Sequence, residues 1–254
     1  MGGMNLSGTV AVVTGASGGI GGGIARTFGQ AGAAVVVHYR HRASAASSVV
    51  GDIVAAGGRA VAVRSDITEP QGCATLMAAA IEAYNRVDTV VASAGVQPVA
   101  ELASMPLSQW CEVIDTNLTG SMLTVKAAAS VMAECGGGAI ILIGSIEGTH
   151  PMWSHAHYCA AKAAVIHFTR VAALEYGRYG IRVNCVSPGL IWRKGLDRDW
   201  PEGVRRFQRA APLGRLGRPV DVGNACVFLA SPMAEWITGH NLVVDGGASV
   251  HPTW

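Results

Sequence analysis

The strongest constraint on the fold is a regular alternation of short β-branched runs with longer Ala-rich segments. The long segments repeat apolar residues at helical spacing, and the short runs have the length and composition of buried strands. Such alternation is typical of a parallel sheet covered on both faces by helices. The seven predicted strands are Thr9–Thr14, Ala34–Tyr39, Ala60–Arg64, Asp88–Ala92, Ala139–Gly144, Ile181–Val186 and Asn241–Asp245.

The domain organisation predicted from this pattern is simple. The chain has 254 residues, half of them apolar, and no linker, repeat or low-complexity block divides it. We therefore expect one doubly wound α/β domain over residues 1–254, with a substrate loop or lid at the unpatterned segment Gly189–Arg218. The main predicted helices are Ala74–Tyr84, Trp110–Glu134, His157–Arg178 and Val220–Ala230.

Composition argues against several classes of protein. A net charge of +2 is too small to indicate nucleic-acid binding, and no unbroken 18-residue apolar stretch predicts a membrane span. Met1–Gly8 lacks the pattern of a signal peptide. The six cysteines have no disulfide or zinc spacing, so we expect reduced, mostly buried thiols in a cytoplasmic protein, and no metal site.

A glycine-rich stretch, VTGASGGIGGGIA (Val13–Ala25), links the first strand to the first helix. Its glycines let the backbone approach a ligand closely, and a helix N-terminus favours anions through its free N–H groups. The spacing is T-G-x-x-x-G-x-G, and the alternative is a glycine-rich turn that binds nothing. The predicted cofactor-binding residues here are Gly15, Ser17, Gly19, Ile20 and Gly21.

The end of the second strand predicts which dinucleotide binds. An NAD site usually places an acidic residue there for the ribose 2′-hydroxyl. Here the region reads VVVHYRHRAS, and the first acidic residue of the chain is Asp52. His38, Arg40 and Arg42 stand in the place of the acid, which favours the 2′-phosphate of NADP(H) over NAD(H), unless these side chains are merely solvated.

Tyr158 and Lys162 are the candidate reactive pair. In a helix they share one face, where a cation would lower the pKa of the phenol and let it exchange protons with a carbonyl or alcohol oxygen. Ser145, 13 residues earlier, ends the fifth strand at the ligand-binding edge of the sheet. Asn117 lies in mid-helix, an unfavourable place unless its amide has a function.

These motifs together resemble the short-chain dehydrogenase/reductase family over essentially the whole chain. The resemblance rests on Thr14–Gly21, Asp66 in SDIT, NCVSPG (Asn184–Gly189) and VVDGG (Val243–Gly247). It implies a Rossmann-like fold and a catalytic tetrad of Asn117, Ser145, Tyr158 and Lys162. The further cofactor contacts that it implies are Asp66, Ile67, Ala94, Gly95, Tyr158, Lys162, Pro188, Gly189 and Ile191.

The resemblance also implies a mechanism and an assembly. Tyr158 would exchange a proton with the substrate oxygen as hydride moves, Ser145 would hold that oxygen, and Lys162 would bind the nicotinamide ribose. Asn117 would hold a water linking Lys162 to solvent. A homotetramer is implied, with the helices of Asn117 and Tyr158 at one interface, and Val220–Ala230 with the last strand at another.

Two positions depart from the family pattern. Ser93 replaces an asparagine that usually ties the sheet together, so we expect a local effect on stability. Arg193 stands where a threonine often binds the nicotinamide carboxamide, which puts that contact in doubt. The basic run Arg193–Arg218 is either a solvated lid helix or a docking patch for an acidic carrier protein or carboxylate substrate.

The substrate stays open at this stage. Within the family, the chain looks most like 3-oxoacyl-carrier-protein reductases and glucose-type dehydrogenases, so an NADPH-dependent carbonyl reductase is expected. The alternatives are a sugar or polyol dehydrogenase and a catalytically silent dinucleotide-binding protein. Glu147 is equally interpreted as a contact for substrate hydroxyls or as a solvated side chain. The aromatic residues Trp153, Trp192 and Trp200 are interpreted as a substrate wall, as core, or as subunit contacts.

Overall fold

The computed structural model describes residues 4–250, so both ends of the predicted 1–254 domain lie outside the described residues. Its centre is one seven-stranded sheet in the order β3-β2-β1-β4-β5-β6-β7, with every pairing parallel. The predicted sheet is therefore confirmed, with strand ends shifted by up to two residues. The strands are β1 Val10–Val13, β2 Ala34–Tyr39, β3 Arg59–Arg64, β4 Thr89–Ala92, β5 Gly138–Ile143, β6 Ile181–Pro188 and β7 Asn241–Val244.

Helices cover both faces of this sheet and bury two separate cores. Alternate residues of each strand point to opposite faces, so Val13 belongs to one core and Val12 to the other. Helices α1, α2 and α9 close the first core, and α3, α5 and α6 close the second. The helices are α1 Gly19–Gln30, α2 Ala43–Ala55, α3 Pro70–Tyr84, α4 Leu107–Ile114, α5 Gly120–Glu134, α6 Ala156–Tyr176, α7 Leu196–Asp199, α8 Pro201–Ala210 and α9 Pro219–Ala230.

The strand order reverses at β1, which pairs with β2 on one side and β4 on the other. In open α/β sheets a crevice forms beyond the carboxyl ends of the strands at such a switch point, and ligands bind there. The loops that follow β1, β4 and β5 therefore define where a site can form. These loops carry the glycine-rich turn, Gly95 and Ser145.

The segment Gly189–Arg218 is more ordered than its sequence indicates. It contains the short helix α7 and the ten-residue α8, which form a small apolar cluster with Leu196, Val204 and Leu216. Its two ends are joined, because Ile191 pairs with Gly217 and the N–H of Trp192 donates to the Gly217 carbonyl at 2.7 Å. The expected helix is thus present, and these contacts hold the two ends of its segment together.

Two further findings bear on the environment of the chain. Each helix within residues 4–250 is too short or too polar to span a bilayer. The six cysteines are all free thiols, as expected. Cys111 and Cys135 are exposed, however, so the expectation that the thiols are mostly buried is met by only part of the set.

Candidate active site

The glycine-rich loop is held against the loop after β4 by the side chain of Thr14. Its buried hydroxyl oxygen accepts the N–H groups of Ser93 and Ala94, at 2.9 and 3.0 Å. Two loops from neighbouring strands are thereby tied together at the switch point. The family motif includes Thr14, but its role as the tie between the loops emerges only from the structure.

Glycine is required at Gly15 and Gly21 because the backbones meet there. Gly15 has a φ of +64°, and a Cβ added to it would lie 2.7 Å from the Cα of Ala94. A Cβ at Gly21 would lie 2.5 Å from the carbonyl oxygen of Gly15. Any side chain at either position would push the loop out of shape, so the loop depends on both glycines.

Helix α1 begins at Gly19, directly after this loop, and its first turn faces the crevice. Gly18 precedes the helix and has no side chain that could cap the N–H groups of Gly19, Ile20 and Gly21. Free N–H groups and the helix dipole together form an anion-binding cradle. The loop therefore fits the pyrophosphate of a dinucleotide.

His38 does not occupy the position predicted for it. Its ring is buried, its Nδ1 accepts the N–H of Gly15 at 3.0 Å, and its Nε2 lies 3.1 Å from the Ser65 carbonyl oxygen. These partners require a neutral ring with the proton on Nε2, and burial lowers the pKa of His38. The prediction of His38 as a cationic phosphate contact is therefore wrong: it holds the glycine loop in place.

The exposed cations at the end of β2 are Arg40 and Arg42. Arg40 pairs with Asp66 at 2.9 Å, where the side chains are 52% and 30% exposed. The Arg42 guanidinium lies over the loop, 3.9 Å from a Cβ position built at Gly18. Ser17 is buried beneath it. Asp66 offsets the charge of Arg40, so Arg42 is the cation more available to a phosphate.

Asn117 lies in a π-helical turn, Asp115–Thr119, between α4 and α5. The turn aims its buried amide at Val96, whose N–H it accepts at 2.8 Å and whose carbonyl it donates to at 2.8 Å. One lone pair and one N–H of the amide stay free for a water. The mid-helix position thus has a function: it fixes the loop that follows Gly95, and a Cβ at Gly95 would lie 2.9 Å from Asn117 Oδ1.

Lys162 extends from α6 beneath the sheet edge. Its Nζ is buried and donates to the carbonyl oxygen of Ile143, the last residue of β5, at 2.7 Å. Burial lowers the pKa of Lys162 to about 8. The nitrogen lies 5.5 Å from the centroid of the Tyr158 ring, so the predicted pairing on one helical face is present.

The pKa of Tyr158 shifts in the direction opposite to the one predicted. Burial of the phenol raises its pKa most, the negative charge of Glu147 raises it further, and the Ser145 hydroxyl acts in the opposite direction. Desolvation of the phenolate therefore decides the direction of this shift. In this state the phenol is held protonated, as a proton donor must be.

Glu147 and His155 form a polar pair beside Ser145 and Tyr158. Glu147 Oε2 lies 2.9 Å from His155 Nδ1, and the two side chains are only 15% and 14% exposed. The amide of Gln97 donates to Glu147 Oε1 at 3.0 Å. The interpretation of Glu147 as a solvated side chain is therefore excluded. Gln97 was missed, since nothing in its sequence context distinguishes it.

The other histidines and the tryptophans have varied surroundings. His157 is buried, and its Nδ1 accepts the N–H of Tyr158 at 2.9 Å. Across residues 4–250 no three His, Cys, Asp or Glu side chains form a metal-binding group. Trp153 is 90% exposed, and Trp192 and Trp200 are about half exposed, so none of the three belongs to the core.

The two departures from the family pattern also have a structural outcome. The Ser93 hydroxyl is buried and has no hydrogen-bond partner within residues 4–250, an arrangement in keeping with the predicted local effect on stability. Arg193 pairs with Asp199 at 3.2 Å on the exposed side of the Gly189–Arg218 segment.

The remaining predicted cofactor residues follow the carboxyl ends of β3 and β6. Ile67 is buried against Gly120, where an added Cβ would lie 2.7 Å from its Cδ1. Pro188 ends β6, and Gly189 packs so closely on Phe207 that a Cβ would lie 2.7 Å from that ring. The crevice is thus bounded by the loops after β1, β3, β4, β5 and β6.

Comparison with known proteins agrees with this geometry. A family model described as enoyl-(acyl carrier protein) reductase matches residues 15–249. An L-rhamnose 1-dehydrogenase (NAD(P)(+)) from Sphingomonas sp. is 38% identical over 97% of this chain and 98% of its own length. A 3-oxoacyl-[acyl-carrier-protein] reductase from Synechocystis sp. is 39% identical over 95% of this chain and 97% of its own length.

A solved structure also matches nearly end to end. It is 7α-hydroxysteroid dehydrogenase complexed with NADH and 7-oxo glycochenodeoxycholic acid. Its TM-score is 0.91 at 37% identity, over 96% of this chain and 95% of its own length. These relatives have dehydrogenase or reductase names and different substrates.

Proposed function

Because the chain belongs to the short-chain dehydrogenase/reductase family, an oxidoreductase family acting on CH–OH groups with NAD(P), we propose a finer assignment. It interconverts a ketone and a secondary alcohol with NADP(H), and Tyr158 is its general acid and base. The observation that supports this most is the convergence of Ser145, Tyr158 and Lys162 at the carboxyl edge of β5, beside the glycine loop.

The reaction is balanced by one hydride and one proton. In oxidation the alcohol would lose a hydride from its carbon and a proton from its hydroxyl, leaving a ketone; reduction would be the reverse. The dinucleotide, when bound, supplies or accepts the hydride. Tyr158 gives or takes the proton at the substrate oxygen, and Ser145 donates a hydrogen bond to the same oxygen.

Lys162 and Asn117 support this exchange. The Lys162 ammonium lies between the Tyr158 ring and the main chain of Ile143, where it would bind the ribose hydroxyls and restore the proton of Tyr158. A pKa of about 8 keeps Lys162 able to exchange protons near neutral pH. The free lone pair and N–H of Asn117 would hold the water that connects this nitrogen to solvent.

The proposed preference for NADP(H) rests on charge. The end of β2 carries Arg40 and Arg42 where an NAD site has an acid, and the Arg42 guanidinium already lies over the glycine loop. Titration of the protein with each oxidised dinucleotide tests this. We expect the lower Kd for NADP⁺, and a lower Kd for NAD⁺ would refute the preference.

The second candidate is a sugar or polyol dehydrogenase, which shares the chemistry and differs in substrate. It is favoured by the largely shielded Glu147–His155 pair beside the reactive serine, and by similarity to an L-rhamnose 1-dehydrogenase. A catalytically silent binding protein is disfavoured, since Ser145, Tyr158 and Lys162 are all present and close together.

We also propose a homotetramer in the cytoplasm. Large apolar side chains are exposed on the faces expected to meet other subunits, including Leu107 on α4, Leu174 on α6 and Trp236 before β7. Free thiols fit a reducing compartment. Size-exclusion chromatography with light scattering tests the assembly, and a monomer at micromolar concentration would contradict it.

The activity itself is tested by following NADPH absorbance with a panel of ketones, and its formation from NADP⁺ with secondary alcohols and aldoses. Tyr158→Phe serves as the matched control, because it removes one oxygen atom from the proposed proton donor. Turnover by the wild type that the control lacks would support the assignment. No turnover in either direction, with either dinucleotide, would refute it.

A further inference from the structure

Three polar side chains from two loops converge next to the reactive serine. Gln97 follows β4, Glu147 follows β5 and His155 precedes α6; we call this set the acidic corner. Gln97 Nε2 donates to Glu147 Oε1 at 3.0 Å, and His155 Nδ1 lies 2.9 Å from Glu147 Oε2. The corner is joined to the reaction centre because the Glu147 N–H donates to Ser145 Oγ at 3.1 Å.

The carboxylate of Glu147 is shielded from water without a permanent cation to balance it. Within residues 4–250, His155 is its only ion-pair partner, and no lysine or arginine contacts it. Burying an ionised carboxylate is costly unless polar partners surround it. It has about four lone-pair positions, and the strong contacts to His155 and Gln97 fill two of them. The Cys159 thiol makes a weak third contact, with Sγ 3.9 Å from Oε2, and the lone-pair positions that remain are available to a ligand.

The backbone is strained where it places His155. Ser154 has a φ of +61°, a left-handed conformation that non-glycine residues adopt at a cost. The conformation is retained because the Ser154 carbonyl accepts the N–H of Ala100 at 2.9 Å, which fastens the loop after β4 to the start of α6. The His155 ring then stands 6.3 Å from the Tyr158 ring, edge to face.

We propose that the acidic corner is a hydroxyl-binding subsite, which selects substrates with a second hydroxyl on the ring or chain that carries the reacting carbon. This inference rests on the proposed function and names its substrate class: polyols, sugars or ring diols. The second hydroxyl donates to a free lone pair of Glu147 and accepts from the second N–H of the Gln97 amide. Glu147 is then a specificity-determining residue and takes no part in hydride transfer.

The chemistry of the corner distinguishes a hydroxyl from other ligands. A hydroxyl is both donor and acceptor, and the corner offers both an acceptor and donors within a few ångströms. An ammonium group would compete with His155 and Gln97, which already donate to the carboxylate. An unfunctionalised acyl chain or ring would leave the carboxylate shielded from water and short of partners, which lowers affinity.

The wild-type protein alone can test this. Cyclohexanol and the cis isomers of 1,2-, 1,3- and 1,4-cyclohexanediol would each be oxidised with NADP⁺, and kcat/KM measured for each. We expect at least one diol to exceed cyclohexanol about 10- to 100-fold, the range for a hydrogen bond to a charged group. Cyclohexanol oxidised as efficiently as every diol would overturn the subsite while leaving the proposed function intact. No turnover of cyclohexanol or of any diol would count against both the subsite and the proposed function.

Variants separate recognition from an effect on Tyr158. Glu147→Gln should lower the ratio of diol kcat/KM to cyclohexanol kcat/KM about tenfold, and Gln97→Leu should lower it about threefold. Glu101→Gln, which changes an exposed acid on the same loop as Gln97, should leave the ratio unchanged. An effect transmitted only through Tyr158 would lower kcat/KM by the same factor for the diol and for cyclohexanol. The ratio of the two values would then stay unchanged. An unchanged ratio in Gln97→Leu and Glu147→Gln would overturn the proposal, and the exposed Gln97 provides the test if Glu147→Gln does not fold.

Discussion

Two ends of the crevice are built in opposite ways. The reactive corner (Asn117, Ser145, Tyr158, Lys162) is buried or nearly so, and main-chain groups such as the Ile143 carbonyl hold its polar side chains. The basic corner (Arg40, Arg42, Asp66) is half exposed, and one ion pair holds it. Burial fixes the geometry and protonation of the first corner, while the second can adapt to what binds.

The difference has an energetic scale. An exposed ion pair contributes about 0–1 kcal/mol, since water and salt screen it. A buried polar group left without its partner costs about 1–3 kcal/mol. Changes in the reactive corner should therefore be severe and affect chemistry or folding, and changes in the basic corner should be mild and affect only the choice of dinucleotide.

The largest effect is expected for Lys162→Met, which keeps the length of the buried stem and removes the ammonium. It leaves the Ile143 carbonyl without its donor and Tyr158 without a proton source, so kcat should fall about 10²- to 10³-fold. Steady-state kinetics at saturating dinucleotide would measure this, with circular dichroism to confirm folding. A fall of less than tenfold in a folded variant would place Lys162 outside the reaction.

Asn117→Ala should mainly affect stability. It removes both hydrogen bonds to Val96 and leaves a part-buried N–H and carbonyl unpaired, so the free energy of unfolding should fall by about 2–4 kcal/mol. Urea denaturation measures this. Asn224→Ala, at an exposed position of α9, is the matched control and should change stability by less than about 0.5 kcal/mol. Equal effects of the two substitutions would contradict the role given to Asn117.

In the basic corner, Arg42→Gln should raise the Kd of NADP⁺ about tenfold and leave that of NAD⁺ within twofold. Arg40→Gln should have a smaller effect, because Asp66 already offsets the Arg40 charge. Isothermal titration with both dinucleotides measures this, and NAD⁺ is the internal control. Equal loss of affinity for both dinucleotides would mean that Arg42 shapes the loop and does not read the phosphate.

The smallest effect concerns pH and His38. Burial lowers its pKa below 6.5, so between that lowered pKa and pH 6.5 the unfolded chain binds more protons than the folded one. The stability due to neutral His38 is therefore complete above pH 6.5 and declines as pH falls below it. The pKa values of Asp66, Asp221 and Asp245 are also lowered, but they act below pH 3.8.

Melting temperatures at pH 7.5 and 5.5 would measure this decline. His38→Asn keeps an acceptor for the Gly15 N–H and does not titrate, so its melting temperature should change less between the two pH values. The same change in both proteins would show that another group accounts for the acid sensitivity.

Local patterns predicted the sheet and the proximity of Ser145, Tyr158 and Lys162, because strand periodicity and the spacing of these three residues lie within short stretches. The pKa of Tyr158 and the role of His38 depend on burial by distant segments. The pKa of Tyr158 was expected to be lowered and is raised, and His38 was expected to be a cationic phosphate contact and is a buried neutral ring. Gln97 acquires its proposed role only through contacts with the loop between β5 and α6, which is distant in sequence. The sequence indicated helix α8 only weakly, because the apolar residues of this helix pack on a small local cluster and not on the two main cores.

The most direct test of the account is Tyr158→Phe, since the phenol oxygen is the atom proposed to carry the proton. The measurement is kcat with saturating NADP⁺ and a diol substrate, alongside the Kd of NADP⁺. We predict a fall in kcat of about 10³-fold with the Kd within threefold of the wild type. A folded variant that keeps more than a tenth of the wild-type kcat would contradict the assignment of Tyr158 as the acid and base.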